Sequence, residues 1–125
     1  MPSRAEAVQL FEKRRVAWLA GDLPAYLELW AEDMSFQSPV HAEPLRGKQA
    51  FADLVRQSFE FSRPLRFDFE HIAVADDVVL AEWTIAIERR DSARVIEWRG
   101  MSVAEIRDRR IVTWREYWNP AALAF

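Results

Sequence analysis

Two charged side chains fall where the sequence pattern calls for apolar ones. Strict alternation from Val112 to Trp118 puts Val112, Trp114, Glu116 and Trp118 on one face of a strand, and Ile111, Thr113, Arg115 and Tyr117 on the other. A carboxylate between two tryptophans on an apolar face is costly unless it is neutral or paired. Desolvation would raise its pKa towards the range useful for proton transfer, so Glu116 is the candidate acid/base residue. The alternative is a buried partner for an arginine that catalyses nothing. Arg14 interrupts the helical stripe Ala7, Leu10, Phe11, Arg14, Trp18 in the same way. Three roles are open to it: pairing with Glu116, holding a ligand carboxylate or enolate with its planar guanidinium, or reaching past the stripe to water.

The remaining candidates are weaker. His71 shares an alternating face with Phe67 and Phe69, which suits a hydrogen-bonded core histidine lining a pocket better than a catalyst. His41 lies with Glu43 in the loop from Ser38 to Pro44 and reads as an exposed loop residue rather than a gate. A triad of Ser38, a histidine and an acid is not expected, because no nucleophile-elbow glycines surround Ser38. No histidine and acidic residues stand at metal-ligand spacing, so neither a metal site nor a cofactor is expected.

These residues need elements to position them. A helix is expected from Ala5 to Ala20, ended by Gly21, and a short one from Asp22-Leu23-Pro24 to about Trp30. Met34 to Gln37 reads as a short strand, and Gly47 to Phe61 as a second long helix with Phe51, Leu54, Val55 and Ser58 on one side; Pro64 prevents its continuation. The period then changes to two. Strands are expected over Leu65–Ala73, Val79–Ile87, Val95–Arg107 and Arg110–Trp118, with turns at Asp76-Asp77 and Asp91-Ser92-Ala93. Helices followed by four antiparallel strands predict an α+β fold with the helices on one face of a curved sheet.

The 125 residues make one domain spanning 1–125, and half of them are apolar. A net charge of −3 with interspersed signs gives no footprint for nucleic acid. No apolar run is long enough to span a membrane and no signal peptide is evident, so the expected location is the cytoplasm. The absence of cysteine excludes disulfides and thiol chemistry. Six tryptophans and eight phenylalanines point to a ring-filled core, an aromatic-walled pocket, or both.

The order of elements, with Gly21-Asp22, Trp30-Ala31-Glu32-Asp33-Met34-Ser35-Phe36-Gln37-Ser38-Pro39-Val40 and Arg46-Gly47-Lys48-Gln49-Ala50-Phe51, resembles the nuclear transport factor 2-like superfamily, in its SnoaL-like and ketosteroid-isomerase-like branch. The resemblance implies a cone-like curved sheet, largely antiparallel, with helices closing it over a pocket for a small apolar or aromatic molecule. It also implies a homodimer through the outer sheet face. Ketosteroid isomerases carry a carboxylate base, a tyrosine and a protonated aspartate at the positions of Ser38, Arg14 and Val103, so that activity is not expected here. The ending Arg115-Glu116-Tyr117-Trp118-Asn119-Pro120 is similar to that of phenazine-biosynthesis members, whose glutamate projects into the cavity.

The resemblance places Trp83, Ile85, Ile87, Met101, Val103, Trp114 and Trp118 inward. The expected ligand-contacting set is Trp18, Trp30, Ser38, His71, Trp83, Met101, Val103, Trp114 and Trp118. One conflict stands on the third long strand, whose more apolar face is Ile96, Trp98, Gly100, Ala104 and Ile106. A mid-strand bulge would reconcile the two, as would burial of the Trp98 face in a dimer, and the dimer is the preferred reading. The expected function is an acid/base isomerase, cyclase, lyase or hydrolase acting on a small apolar ring compound without a cofactor. The alternative is a non-catalytic hydrophobic-ligand-binding or dimeric interaction protein.

Overall fold

The computed structural model describes residues 1–123. Helix α1 (Arg4–Leu19) starts at a capping box in which the Ser3 hydroxyl accepts the Glu6 N–H and the Glu6 carboxylate accepts the Ser3 N–H. Gly21, at φ 65°, turns the chain into α2 (Leu23–Glu28), capped by Asp22. Strand β1 (Trp30–Gln37) begins four residues earlier than its alternation suggests, so Trp30 opens a strand rather than ending a helix. A two-residue strand β2 (Leu45–Arg46), not foreseen, leads into α3 (Lys48–Phe61). Four long strands follow: β3 (Ser62–Ala75), β4 (Val78–Arg89), β5 (Val95–Arg107) and β6 (Arg110–Tyr117). A 3₁₀ turn at Pro120–Leu123 comes after them.

The six strands form one mixed sheet in the order β2-β1-β6-β5-β4-β3. All neighbours are antiparallel except β1 and β6, which run parallel. The helices pack on one side. The stripe of α1 goes inward as expected, with Ala7, Leu10, Phe11 and Arg14 all buried. Phe11, Trp30, Met34, Phe51, Phe67, Trp83 and Trp114 are each no more than 2% exposed, so the concave side is filled with rings.

Two one-residue bulges decide which side chains look inward. On β3, Phe69 pairs with Trp83 and His71 with Glu82, leaving Glu70 as an extra residue. Before it Phe67 and Phe69 face the core; after it Ile72 and Val74 do, and His71 is turned out. On β6, Ile111 pairs with Ile106 and Thr113 with Glu105, so Val112 is the extra residue. Ile111 and Trp114, three apart, are therefore both fully buried.

Strands β4 and β5 pair without any shift, and this settles the conflict on β5. Its inner face is the apolar one: Ile96, Gly100, Ser102, Ala104 and Ile106 are buried, whereas Met101 is 47% exposed on the opposite side. Neither a mid-strand bulge nor a dimer is needed to bury it. Gly100 explains the fit, because a Cβ there would come within 2.6 Å of the Trp83 ring lying across it. The inward placement of Met101 and Val103 is thereby corrected; Val103 stands on the outer face between Leu80 and Arg115.

Candidate functional site

Beyond its bulge, β6 alternates regularly and delivers Glu116 between Trp114 and Trp118. The indole Nε1 of Trp114 donates to one carboxylate oxygen at 2.9 Å, and that of Trp118 to the other at 2.7 Å. Opposite Glu116 on β5 is Ser102, fully buried, whose hydroxyl accepts from Trp83 Nε1 at 3.3 Å. Burial raises the Glu116 pKa above its ordinary value of 4.5. The Arg14 charge and the two indole hydrogen bonds oppose that rise, as does His41 when its ring is protonated. The result is a carboxylate fixed in direction by two donors and biased by its surroundings towards holding a proton.

Arg14 is only 4% exposed and makes no ion pair with Glu116 within 4.0 Å among the described residues. Its guanidinium carbon lies over four aromatic rings, those of Trp114 at 4.1 Å, Phe67 at 4.9 Å, Tyr26 at 5.3 Å and Trp30 at 5.8 Å. Its Nε and Nη1 have no hydrogen-bond partner. The charge is held by π faces, each worth about 0.5–2 kcal/mol, and by the Tyr26 hydroxyl, which accepts a hydrogen bond from Arg14. Trp114 touches both charged groups: its ring faces Arg14 and its N–H bonds Glu116. The two interact through space, and neither neutralises the other by direct contact.

The remaining wall comes from the loop after β1. The Ser38 hydroxyl lies 2.7 Å from His41 Nδ1 and accepts the Val40 N–H at 3.4 Å, while the His41 N–H donates to the Ser38 carbonyl at 3.0 Å. The Gln37 side chain donates to the His41 carbonyl at 3.4 Å, and the His41 ring stands edge-on to Phe36. Gln37 pairs with Arg115 across the parallel β1–β6 ladder, which docks this loop beside Glu116. Together they shape an open pocket of about 370 Å³ lined by Gln37, Ser38, Pro39, His41, Arg115, Glu116, Tyr117 and Trp118. Hollows of about 540 and 840 Å³ near the β5–β6 turn are larger, but they are lined by groups such as Lys13, Asp108 and Arg109 and hold none of the candidate residues.

Of the expected set, the structure brings Glu116, Ser38 and Trp118 together at one pocket, with Trp114 and Arg14 behind it. Trp30 and Trp83 are core residues with no exposed surface. Trp18 packs edge-on against Phe67. His71 is excluded by the Glu70 bulge; its ring is 82% exposed and bonds Glu82 at 2.9 Å on the outer face. His41, read as an exposed loop residue, is the histidine at the site. The available signal was its spacing from Ser38 across a proline, since a three-residue reach lets a serine hydroxyl meet a histidine ring.

A family model described as SnoaL-like domain matches residues 9–114. The chain belongs to this family. Solved structures agree. A Bacillus subtilis protein provisionally described as an isomerase superposes with a TM-score of 0.87 at 26% identity, over 98% of this chain and 93% of that one. An LEH-like epoxide hydrolase from M. tuberculosis gives a TM-score of 0.81 at 22% identity, over 94% and 86%. An NTF2-like protein from Burkholderia xenovorans LB400 gives 0.76 at 23%, over 98% and 95%. The fold is therefore the NTF2-like one in its SnoaL-like form. No helix of the described residues is long and apolar enough to cross a membrane.

Proposed function

We propose that this protein is an acid/base enzyme for a small, largely apolar ring compound, with Glu116 as the proton-transferring group and its own side chains as the only machinery. The observation that carries this reading is the Glu116 carboxylate, held by two indole N–H groups at the floor of an open pocket and pushed up in pKa by burial. A purely structural glutamate in such a place would be expected to form a close ion pair with Arg14, and it does not. The Bacillus subtilis structure provisionally described as an isomerase is consistent with chemistry of this class. Arg14 contributes electrostatically, favouring the ionised form that must recur in each cycle.

The test is a screen of cyclic ketones, enones and epoxides for turnover, followed by Glu116→Gln on any substrate found. Turnover should fall by about 10²–10⁴-fold while ligand quenching of tryptophan fluorescence persists. Unchanged turnover would overturn the assignment. A second reading, a non-catalytic binder of hydrophobic small molecules, draws support from the aromatic wall that Trp118 gives the open pocket. It is distinguished by quenching without product. A homodimer through the outer sheet face is part of the same proposal, supported by the exposure there of Leu80, Met101 and Tyr117. Sedimentation of the wild type against Met101→Lys checks it, and a monomeric wild type would refute it.

A further inference from the structure

We propose that His41 is the electrophile of the Glu116 site, a neutral imidazole presenting Nε2–H to a carbonyl oxygen of the ligand, and that Ser38 is the positioning residue that fixes this tautomer. The inference rests on the reading of Glu116 as the proton-transferring group and names the partner that reading lacks.

The argument is one of donors and acceptors. Ser38 is 6% exposed, so its hydroxyl cannot rely on solvent. Its oxygen accepts the Val40 N–H, and among the described residues its other partner is His41 Nδ1, 2.7 Å away, to which we assign its single proton. A serine hydroxyl donating to Nδ1 requires a lone pair there, which puts the imidazole proton on Nε2. The residue is held at its backbone, whose N–H donates to the Ser38 carbonyl and whose carbonyl accepts from Gln37, and its ring stands edge-on to Phe36. It lines the same pocket as Glu116, the other charged or titratable groups there being Arg115 and Tyr117.

A carboxylate and a neutral imidazole donor facing one pocket are complementary. Glu116 takes a proton from the carbon next to a ring carbonyl, and the C–H electron pair becomes the enolate double bond. The carbonyl π pair moves to oxygen, where the Nε2–H of His41 stabilises the developing charge. Where a β,γ double bond extends the enolate, return of the same proton from Glu116 to the γ-carbon moves that double bond into conjugation, an isomerisation that needs no oxidant, reductant or second reactant. The substrate class is therefore a cyclic carbonyl compound with a β,γ double bond and an acidic C–H between the two groups.

The test is ¹⁵N NMR of the imidazole nitrogens in the full chain near neutral pH, with His71→Asn used to assign the two histidines. His41 should show a protonated Nε2 and an unprotonated Nδ1. Ser38→Ala should release it to the mixed tautomers of a free imidazole, and Ser38→Thr, which keeps the hydroxyl, should restore the wild-type pattern. A protonated Nδ1 in the wild type, or an unchanged tautomer in Ser38→Ala, would overturn the proposal. The wild-type spectrum decides alone if Ser38→Ala does not fold. Retained turnover in Glu116→Gln beside the expected spectrum would instead refute the role of Glu116 and leave the tautomer assignment standing.

Discussion

Histidine and glutamate come together in two places in the protein, once in direct contact and once as linings of the same pocket. His71 and Glu82 meet at 2.9 Å across β3 and β4, on the outer face, with their side chains 82% and 47% exposed. His41 and Glu116 share a pocket between the Ser38 loop and the end of β6, each held by neighbours of its own: a serine hydroxyl for one, two indoles for the other. The exposed pair is joined by a direct hydrogen bond, whereas the other two residues are related by lining one pocket. Water screens that bond and solvates either partner alone, so it contributes little. In the pocket each group meets a fixed environment, and a fixed environment shifts proton affinity and tautomer. Contact distance alone therefore does not mark the candidate site.

The largest effect that could break this contrast is catalytic. Glu116→Gln should cost about 10²–10⁴-fold in turnover, whereas Glu82→Gln and His71→Asn should leave kcat/KM unchanged, measured on the same substrate. Equal losses at both sites would erase the distinction. Next comes the support of the carboxylate. Trp114→Phe removes a hydrogen bond to Glu116 and packing on Arg14 and should lower unfolding free energy by about 2–4 kcal/mol in urea titrations. Trp118→Phe, at a less buried ring, should cost about 1–2 kcal/mol by the same measurement.

A smaller and more diagnostic effect is the pH dependence. Glu116 binds its proton more tightly in the folded chain than at its ordinary value of 4.5. Its contribution is thus fully present below that value and lost as pH rises through the raised folded value. Wild-type stability relative to Glu116→Gln should therefore decline across this window and stay level below it, as followed by thermal melts over a pH series. A relative stability that instead rises with pH would mean that Arg14 and the indoles outweigh burial. Smallest of all, His71→Asn should change stability by less than about 0.5 kcal/mol, because the ring it removes lies almost wholly in solvent.

Much of the frame was legible in the chain. The capped first helix, the switch from helical to two-residue period after Pro64, and the turns at Asp76 and Asp91 all have local causes, and the elements formed where those causes lie. Glu116 between two tryptophans was legible for the same reason, since alternation within one regular stretch of strand needs no knowledge of its partner. The two histidines were read the wrong way round. His71 follows Phe67 and Phe69 in perfect alternation, and nothing in that run marks Glu70 as the residue that will go unpaired. His41 sits in a polar, proline-flanked segment whose sequence resembles any solvated loop.

What the sequence determined by itself is whatever depends on neighbours along the chain: element type, caps, and the placement of Glu116 and Arg14 on apolar faces. Tertiary structure decided the rest. A bulge belongs to a pair of strands, and its position follows from which register buries the most rings. Here that is Trp83 over Gly100 and Trp114 beside Phe11. The parallel pairing of β1 with β6 joins segments some 80 residues apart, and only that pairing seats Ser38 and His41 at the carboxylate.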